Sequence, residues 1–256
     1  MMTIISLLLL ASLLPHLTFT AHVDVGIVNG TEAKPHSRPY MVSLQEDKKH
    51  VCGGFLISDE FVLTAAHCQK KNKILTAVVG AHDLKNENEG SVRIGVKSYH
   101  KHPKYSSDSY LNDIMLLMLE KKVKLSQNVE PISLIKNKKY IKSCTVCSVV
   151  GWGKLQTKGS VSDRLMEANV KIMKDRQCKE KWKGSVKYSV SKMTCAYGRG
   201  GSCKGDSGGP LVCGKSAVGV TSFGDFNVCN LPEHPNVYTK ISPYLKWIHK
   251  IIKNVK

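Results

Sequence analysis

"GGSCKGDSGGP", residues 200–210, sets five glycines and a proline around Ser207. A serine hydroxyl is a poor nucleophile at neutral pH, so attack on an amide needs a base within reach and donors aimed at the developing oxyanion. Glycines let backbone N–H groups approach such a point, and those of Gly205 and Ser207 are the candidate donors. A base is offered by "LTAAHC", where His67 ends an apolar strand beside Cys68. A carboxylate is offered by "YLNDIMLL", where Asp113 leads into a very apolar strand. A carboxylate entering a core without a partner is strongly disfavoured, and a histidine N–H would compensate it. Singly, a Gly-rich turn, a core histidine and a strand-capping aspartate each have a commoner structural reading. Together, in the order His, Asp, Ser, they are specific.

The surrounding chain suits such a site. It has 256 residues, 42% hydrophobic and 23% charged, enough for a full core and unlike a disordered chain. Short β-branched and aromatic runs ("YMVSL", "FLISDEFVLTAA", "ILTAVVG", "SVRIGVKSY", "DIMLLML", "CSVVGWG", "MEANVKIM", "SAVGVTSFG") recur between Gly, Asn, Asp and Pro, which predicts an all-β sandwich or barrel. One helix is predicted at the end, after Ser242-Pro243. Tyr244, Trp247, Ile248, Ile251 and Val255 share one face, with Lys246, Lys250 and Lys253 elsewhere. That face is expected to dock on the core, the alternative being a membrane-surface helix.

The opening "MMTIISLLLLASLLPHLTFTAHV" is an apolar run interrupted by Pro15 and followed by small residues, and reads as a signal peptide over 1–20. Its n-region lacks Lys or Arg before Ile4, which leaves an anchor as the alternative. No later segment is long and apolar enough to span a membrane. Nine cysteines in a secreted chain point to oxidised pairs with at least one left over. Cys144 and Cys147 form a CxxC, but no second pair follows at zinc-ligand spacing, and no helix start follows as in a redox motif. The 38 Lys and Arg against 20 Asp and Glu give +18, and removing residues 1–26 takes away only Asp24. The scattered lysines read either as a solvated surface or as attraction to polyanions. With no nucleic-acid motif, the expected polyanion is glycosaminoglycan.

From "IVNG" at Ile27 to the terminal helix, the chain resembles the chymotrypsin-like serine proteases. The resemblance implies two six-stranded antiparallel β-barrels with the site in the cleft between them, and a protease domain over 27–256. His67 would be the general base, Asp113 its orienter, Ser207 the nucleophile, and Gly205 with Ser207 the oxyanion hole. "PHSRPYMVSLQ", the short "CAYGRGGSC" loop and the basic charge look most like the granzymes, granule proteases of killer lymphocytes and mast cells, which implies secretion and storage in granules. The implied disulfides are Cys52–Cys68, Cys147–Cys213, Cys178–Cys195 and Cys203–Cys229. Cys144 is then the orphan, either a free thiol or a bridge to a second copy.

Substrate-binding positions implied by the family are Gly201, Ser202, Lys204, Ser222, Gly224 and Asn236. Members that cleave after Lys or Arg carry an aspartate six residues before the nucleophile. Here that position is Gly201, so a basic side chain would bury its charge unpaired unless another acid such as Glu233 reached it. Gly224 leaves the pocket mouth open. Asn236 replaces a frequent glycine in "PNVY" and offers a donor and an acceptor. Met, Leu, Phe or Asn is expected before the scissile bond, with Lys204 attracting an acidic residue nearby. No cofactor is implied. Some relatives bind calcium in a loop that opens with an acid after "VG"; Ala81 stands there, so no calcium is expected. His100 and His102 share a strand face and read as exposed surface histidines rather than a zinc pair.

The resemblance also implies activation by a new amine at Ile27, folding inward to pair with Asp206. Gly26 precedes Ile27 where trypsin-activated relatives have Lys or Arg, so a dipeptidyl peptidase is the expected activator. Signal cleavage after Thr20 would leave "AHVDVG", residues 21–26, as three dipeptides. The alternative is direct cleavage after Gly26. Asn29 in "NGT" is the sole glycosylation sequon, and a glycan there would hinder docking of the amine. The rival function is a cationic polyanion-binding protein whose protease fold is vestigial.

Overall fold

A computed structural model of the chain describes residues 27–136, 141–225 and 227–255. The expected signal peptide over 1–20 and the expected propeptide over 21–26 lie outside the described residues. The chain enters through a two-residue strand, β1 (Thr31–Glu32), and then builds a first barrel from β2 (Met41–Glu46), β3 (Lys49–Leu56), β4 (Phe61–Thr64), β5 (Thr76–Val79), β6 (Val92–Lys101) and β7 (Met115–Leu119). These close in the order β2-β3-β4-β7-β6-β5. The long run "FLISDEFVLTAA" is broken into β3 and β4 because Ser58 Oγ accepts from the N–H groups of Glu60 and Phe61, a local turn that competes with the ladder.

After β8 (Ser133–Leu134), the second barrel is built from β9 (Val146–Gly151), β10 (Met166–Ile172), β11 (Met193–Tyr197), β12 (Pro210–Cys213), β13 (Ser216–Phe223) and β14 (Asn236–Lys240). Its path β10-β11-β14-β13-β12-β9 is closed by antiparallel pairing of β9 with β10. Closure removes the free edges that would template aggregation. One apolar cluster runs through both barrels, from Val42, Phe55 and Leu116 to Val149, Leu211 and Val220.

The C-terminal helix is α2 (Leu245–Val255), preceded by a 3₁₀ turn at Ser242–Tyr244. Ile248 is fully buried and Trp247, Ile251, Ile252 and Val255 pack half-buried against the core, so the apolar face is docked. A second helix, α1 (Asp175–Lys181), was not predicted. It buries only Cys178 in seven residues, too short for an apolar period to show. Four disulfides join Cys52–Cys68, Cys147–Cys213, Cys178–Cys195 and Cys203–Cys229, and Cys144 is free and exposed.

Candidate active site

The loop holding Ser207 is sewn into both barrels. Gly53 N–H, on β3, donates to Ser207 O at 2.8 Å, and Gly208 N–H donates to Thr221 O, on β13, at 2.8 Å. Gly208 has φ +83°, and a Cβ there would strike Thr64 Oγ1 and Gly53 O, so no other residue fits. His67 sits in a 3₁₀ turn, Ala66–Cys68, just past β4, and the Cys52–Cys68 bond ties that turn to β3. Asp113 lies two residues before β7 and is fully buried.

Three donors converge on the Asp113 carboxylate. His67 Nδ1 lies 2.7 Å from Oδ2, Ser222 Oγ donates to Oδ2 at 2.5 Å, and the His67 N–H donates to Oδ1 at 3.0 Å. Thr239 Oγ1 donates to the Asp113 carbonyl at 2.9 Å. A carboxylate accepts only, so the neutral imidazole carries its proton on Nδ1 and leaves Nε2 as an acceptor. His67 and Ser207 line one cleft of about 430 Å³, together with Tyr110, Lys154, Thr157, Ser202, Lys204, Ser222, Phe223, Gly224, Asp225 and Asn236. Among the described residues no hydrogen bond joins Ser207 Oγ to His67.

Gly205 has φ +104°, and its carbonyl faces His50 Nε2 at 2.9 Å. The preceding peptide is held by Lys154 N–H, which donates to Lys204 O at 2.8 Å. Asp206 is buried, with Oδ1 accepting Gly153 N–H at 2.8 Å and Oδ2 accepting Cys203 N–H at 2.9 Å. No cation partners it among the described residues, and burial pushes its carboxyl up to about 7. The entering segment lies beside the same loop: Ile27 is fully buried, Val28 O accepts Gly201 N–H at 3.1 Å, and Asn29 Nδ2 donates to Arg199 O at 3.2 Å.

Around Gly201 the space is filled by two asparagines. Gly201 is absent from the cleft lining, and a Cβ on it would lie 2.3 Å from Asn230 Oδ1 and 3.0 Å from Asn236 Nδ2. Asn236 is buried and donates to Ser202 O at 2.9 Å, and a Cβ on Gly224 would lie 2.5 Å from its Oδ1. The Ser202 hydroxyl turns to Tyr238 OH at 3.3 Å. Asn230, in the left-handed region at φ +57°, donates to the carbonyls of Gly198 and Arg199. The acid at the cleft is Asp225, not Glu233, which is exposed. Asp225 is engaged by His234 Nδ1 at 2.7 Å and by the N–H groups of Asn227 and Val228.

His100 and His102 are half-buried rather than exposed: His100 Nε2 lies 2.9 Å from Ser98 Oγ, and His102 meets Tyr244 and Trp247 edge-on. The one cluster of metal-ligating types among the described residues, Cys52, His67 and Cys68, has both sulfurs in a disulfide, which leaves no thiolate. In the loop after Ala81, Glu89 Oε2 accepts the N–H groups of His82 and Asp83.

The trypsin family model matches residues 27–248, nearly the whole described chain. The chain belongs to the trypsin family of serine endopeptidases. This protease is 42% identical to human granzyme B over 255 residues, covering 96% of this chain and 98% of that protein. It is 38% identical to granzyme B(G,H) of Mus musculus over 234 residues (89% and 92%) and 37% identical to human cathepsin G over 256 residues (98% and 95%). Among solved structures, neuropsin, a serine protease expressed in the limbic system of mouse brain, is similar with a TM-score of 0.79 and 34% identity, covering 88% of this chain and 99% of that one.

Proposed function

We propose that this protease cleaves peptide bonds with Ser207 as nucleophile, His67 as general base and Asp113 as orienter. The observation that carries the reading is the fully buried Asp113 on His67 Nδ1, which leaves Nε2 as an acceptor in the cleft that holds Ser207. His67 Nε2 takes the proton from Ser207 Oγ as the oxygen attacks the carbonyl carbon, and returns it to the leaving amine. The N–H groups of Gly205 and Ser207 receive the charge that develops on the carbonyl oxygen. Water then hydrolyses the acyl-enzyme by the same path.

Asn236 and Ser202 present an amide and a carbonyl to the cleft, and its one carboxylate, Asp225, is taken up by His234 and two backbone N–H groups, which supports Met, Leu, Phe or Asn before the scissile bond rather than Lys or Arg. Lys154 and Lys204 at the lip favour an acidic residue close to the bond. The buried Ile27 segment and the uncompensated Asp206 support activation by trimming to a free amine at Ile27, through a dipeptide-removing peptidase since Gly26 precedes it. Secretion with granule storage, binding of glycosaminoglycan by the lysines, and an immune or cytotoxic role follow from the granzyme resemblance and the charge of +18. Among the described residues no helix is long and apolar enough to cross a membrane. Labelling with a fluorophosphonate tests the centre: the trimmed protein should be modified at Ser207, and an inert Ser207 with an intact fold refutes the assignment.

A further inference from the structure

Behind Gly205 runs a file of polar side chains that the catalytic reading leaves unused. Ser43 and Gln45 lie two apart on β2 and share a face. Arg93, on β6, donates from Nη2 to Gln45 Oε1 at 2.7 Å and from Nη1 to Thr76 Oγ1 at 2.8 Å. Gln45 Nε2 donates to Ser43 Oγ at 3.1 Å, Ser43 Oγ lies 2.8 Å from His50 Nδ1, and His50 Nε2 lies 2.9 Å from Gly205 O.

Chemistry fixes the direction of every link. A guanidinium only donates, so Gln45 must turn its oxygen to Arg93 and its NH₂ to Ser43. Ser43 Oγ receives that donor and is free to send its own hydrogen to His50 Nδ1. The imidazole is neutral, since burial pushes it down to about 4, and the Gly205 carbonyl only accepts, so the one proton sits on Nε2 and Nδ1 is left to accept from Ser43. Both ends of the file are acceptor- or donor-only, so no link can reverse alone.

We propose that Arg93 and Gln45 are positioning residues for the oxyanion loop, holding the His50 proton on Nε2 so that the Gly205 carbonyl is fixed and its N–H stays aimed at the cleft. Gly205 has no side chain to hold it at φ +104°, so its position rests on the hydrogen bonds of its two peptides, one of which Asp206 N–H makes to Cys203 O at 3.0 Å. Lys154 holds the peptide before it and His50 the peptide after it. The role rests on the reading of Gly205 as an oxyanion donor. It extends control of that donor to a cation on β6, two strands from β2 in the closed ring.

The decisive variant is Gln45→Glu in the chain trimmed to Ile27. It keeps the pairing with Arg93 but gives the Ser43 hydrogen a second acceptor, so His50 loses its fixed proton. The expected result is an unchanged or raised melting temperature with kcat lower by ~5–10-fold and KM within ~2-fold, because the lost interaction belongs to the transition state. Arg93→Ala should lower kcat by ~2–3-fold, with recovery in Arg93→Lys, which restores a donor. Two-bond ¹⁵N–¹H spectra should show His50 protonated on Nε2 in the parent and mixed in Gln45→Glu. Parental kcat and an unchanged His50 tautomer in Gln45→Glu would overturn the proposal. A parent inert to fluorophosphonate, with His50 still protonated on Nε2, would instead sink the Ser207 assignment and leave the file of hydrogen bonds supported.

Discussion

Two aspartates are buried within the site, and they are served very differently. Asp113 takes an imidazole, a hydroxyl and a backbone N–H, whereas Asp206 takes two backbone N–H groups and no cation among the described residues. Burial is nearly the same, at 0% and 1% exposed, so exposure does not separate them. The hydrogen bonds of Asp113 with His67 and Ser222 are complete in the structure of the whole chain. The loop of Gly205 and Ser207 holds a carboxyl that burial pushes toward its neutral form, and the proposed amine at Ile27 would let it ionise.

The largest test of that contrast is Asp113→Asn in the trimmed protein. The amide would favour the wrong imidazole tautomer, and kcat should fall by about 10⁴-fold with the fold retained. A loss under tenfold would mean that Asp113 is structural. Next in size is Asp206→Asn, which should act in opposite senses on the two forms. In the untrimmed chain it removes a buried, uncompensated carboxyl and should raise the melting temperature. In the trimmed chain it removes the partner of the amine and should cost activity by ~100-fold or more. Equal effects on both forms would break the distinction between the two aspartates.

A pH titration of stability sharpens the same point. Asp206 has its folded value raised to about 7 from 3.8, so folding favours its protonated form. The untrimmed chain should therefore lose stability as pH rises from about 4 to about 7, by several kcal/mol from this group. The trimmed chain should not show that loss, and denaturant melts of both forms across the range compare them. The smallest expected effect is selectivity. Substrates with Met, Leu, Phe or Asn before the bond should exceed Lys or Arg by at least ~10-fold in kcat/KM. Gly201→Asp should not reverse this preference, because its Cβ would meet Asn230 Oδ1 at 2.3 Å. Efficient cleavage after Arg in either protein would show an acid reaching the floor.

What the sequence made legible follows the same division. Ser207, His67 and Asp113 stand in short segments that are ambiguous singly and specific together: clustered glycines, a histidine ending an apolar strand, a carboxylate at the mouth of another. Asn230, His50 and Asp225 gave no such sign, because their roles come from segments distant in the chain. Asn230 matters through Gly201, 29 positions away, and His50 through Gly205, 155 positions away. Barrel strands showed as β-branched runs, but the β9–β10 pairing that closes the second ring depends on long-range register, which local pattern does not carry. Helix α1 escaped because one buried residue makes no period.

The unbroken apolar core through both barrels has a consequence for the prey rather than the predator. With one core and a serine loop stitched to each half, the two barrels cannot hinge apart to admit a folded surface. The cleft is a fixed mould, and a target must come to it already unravelled for several residues. Which proteins are cut is then decided as much by where their own surfaces fray as by the side chain the pocket accepts.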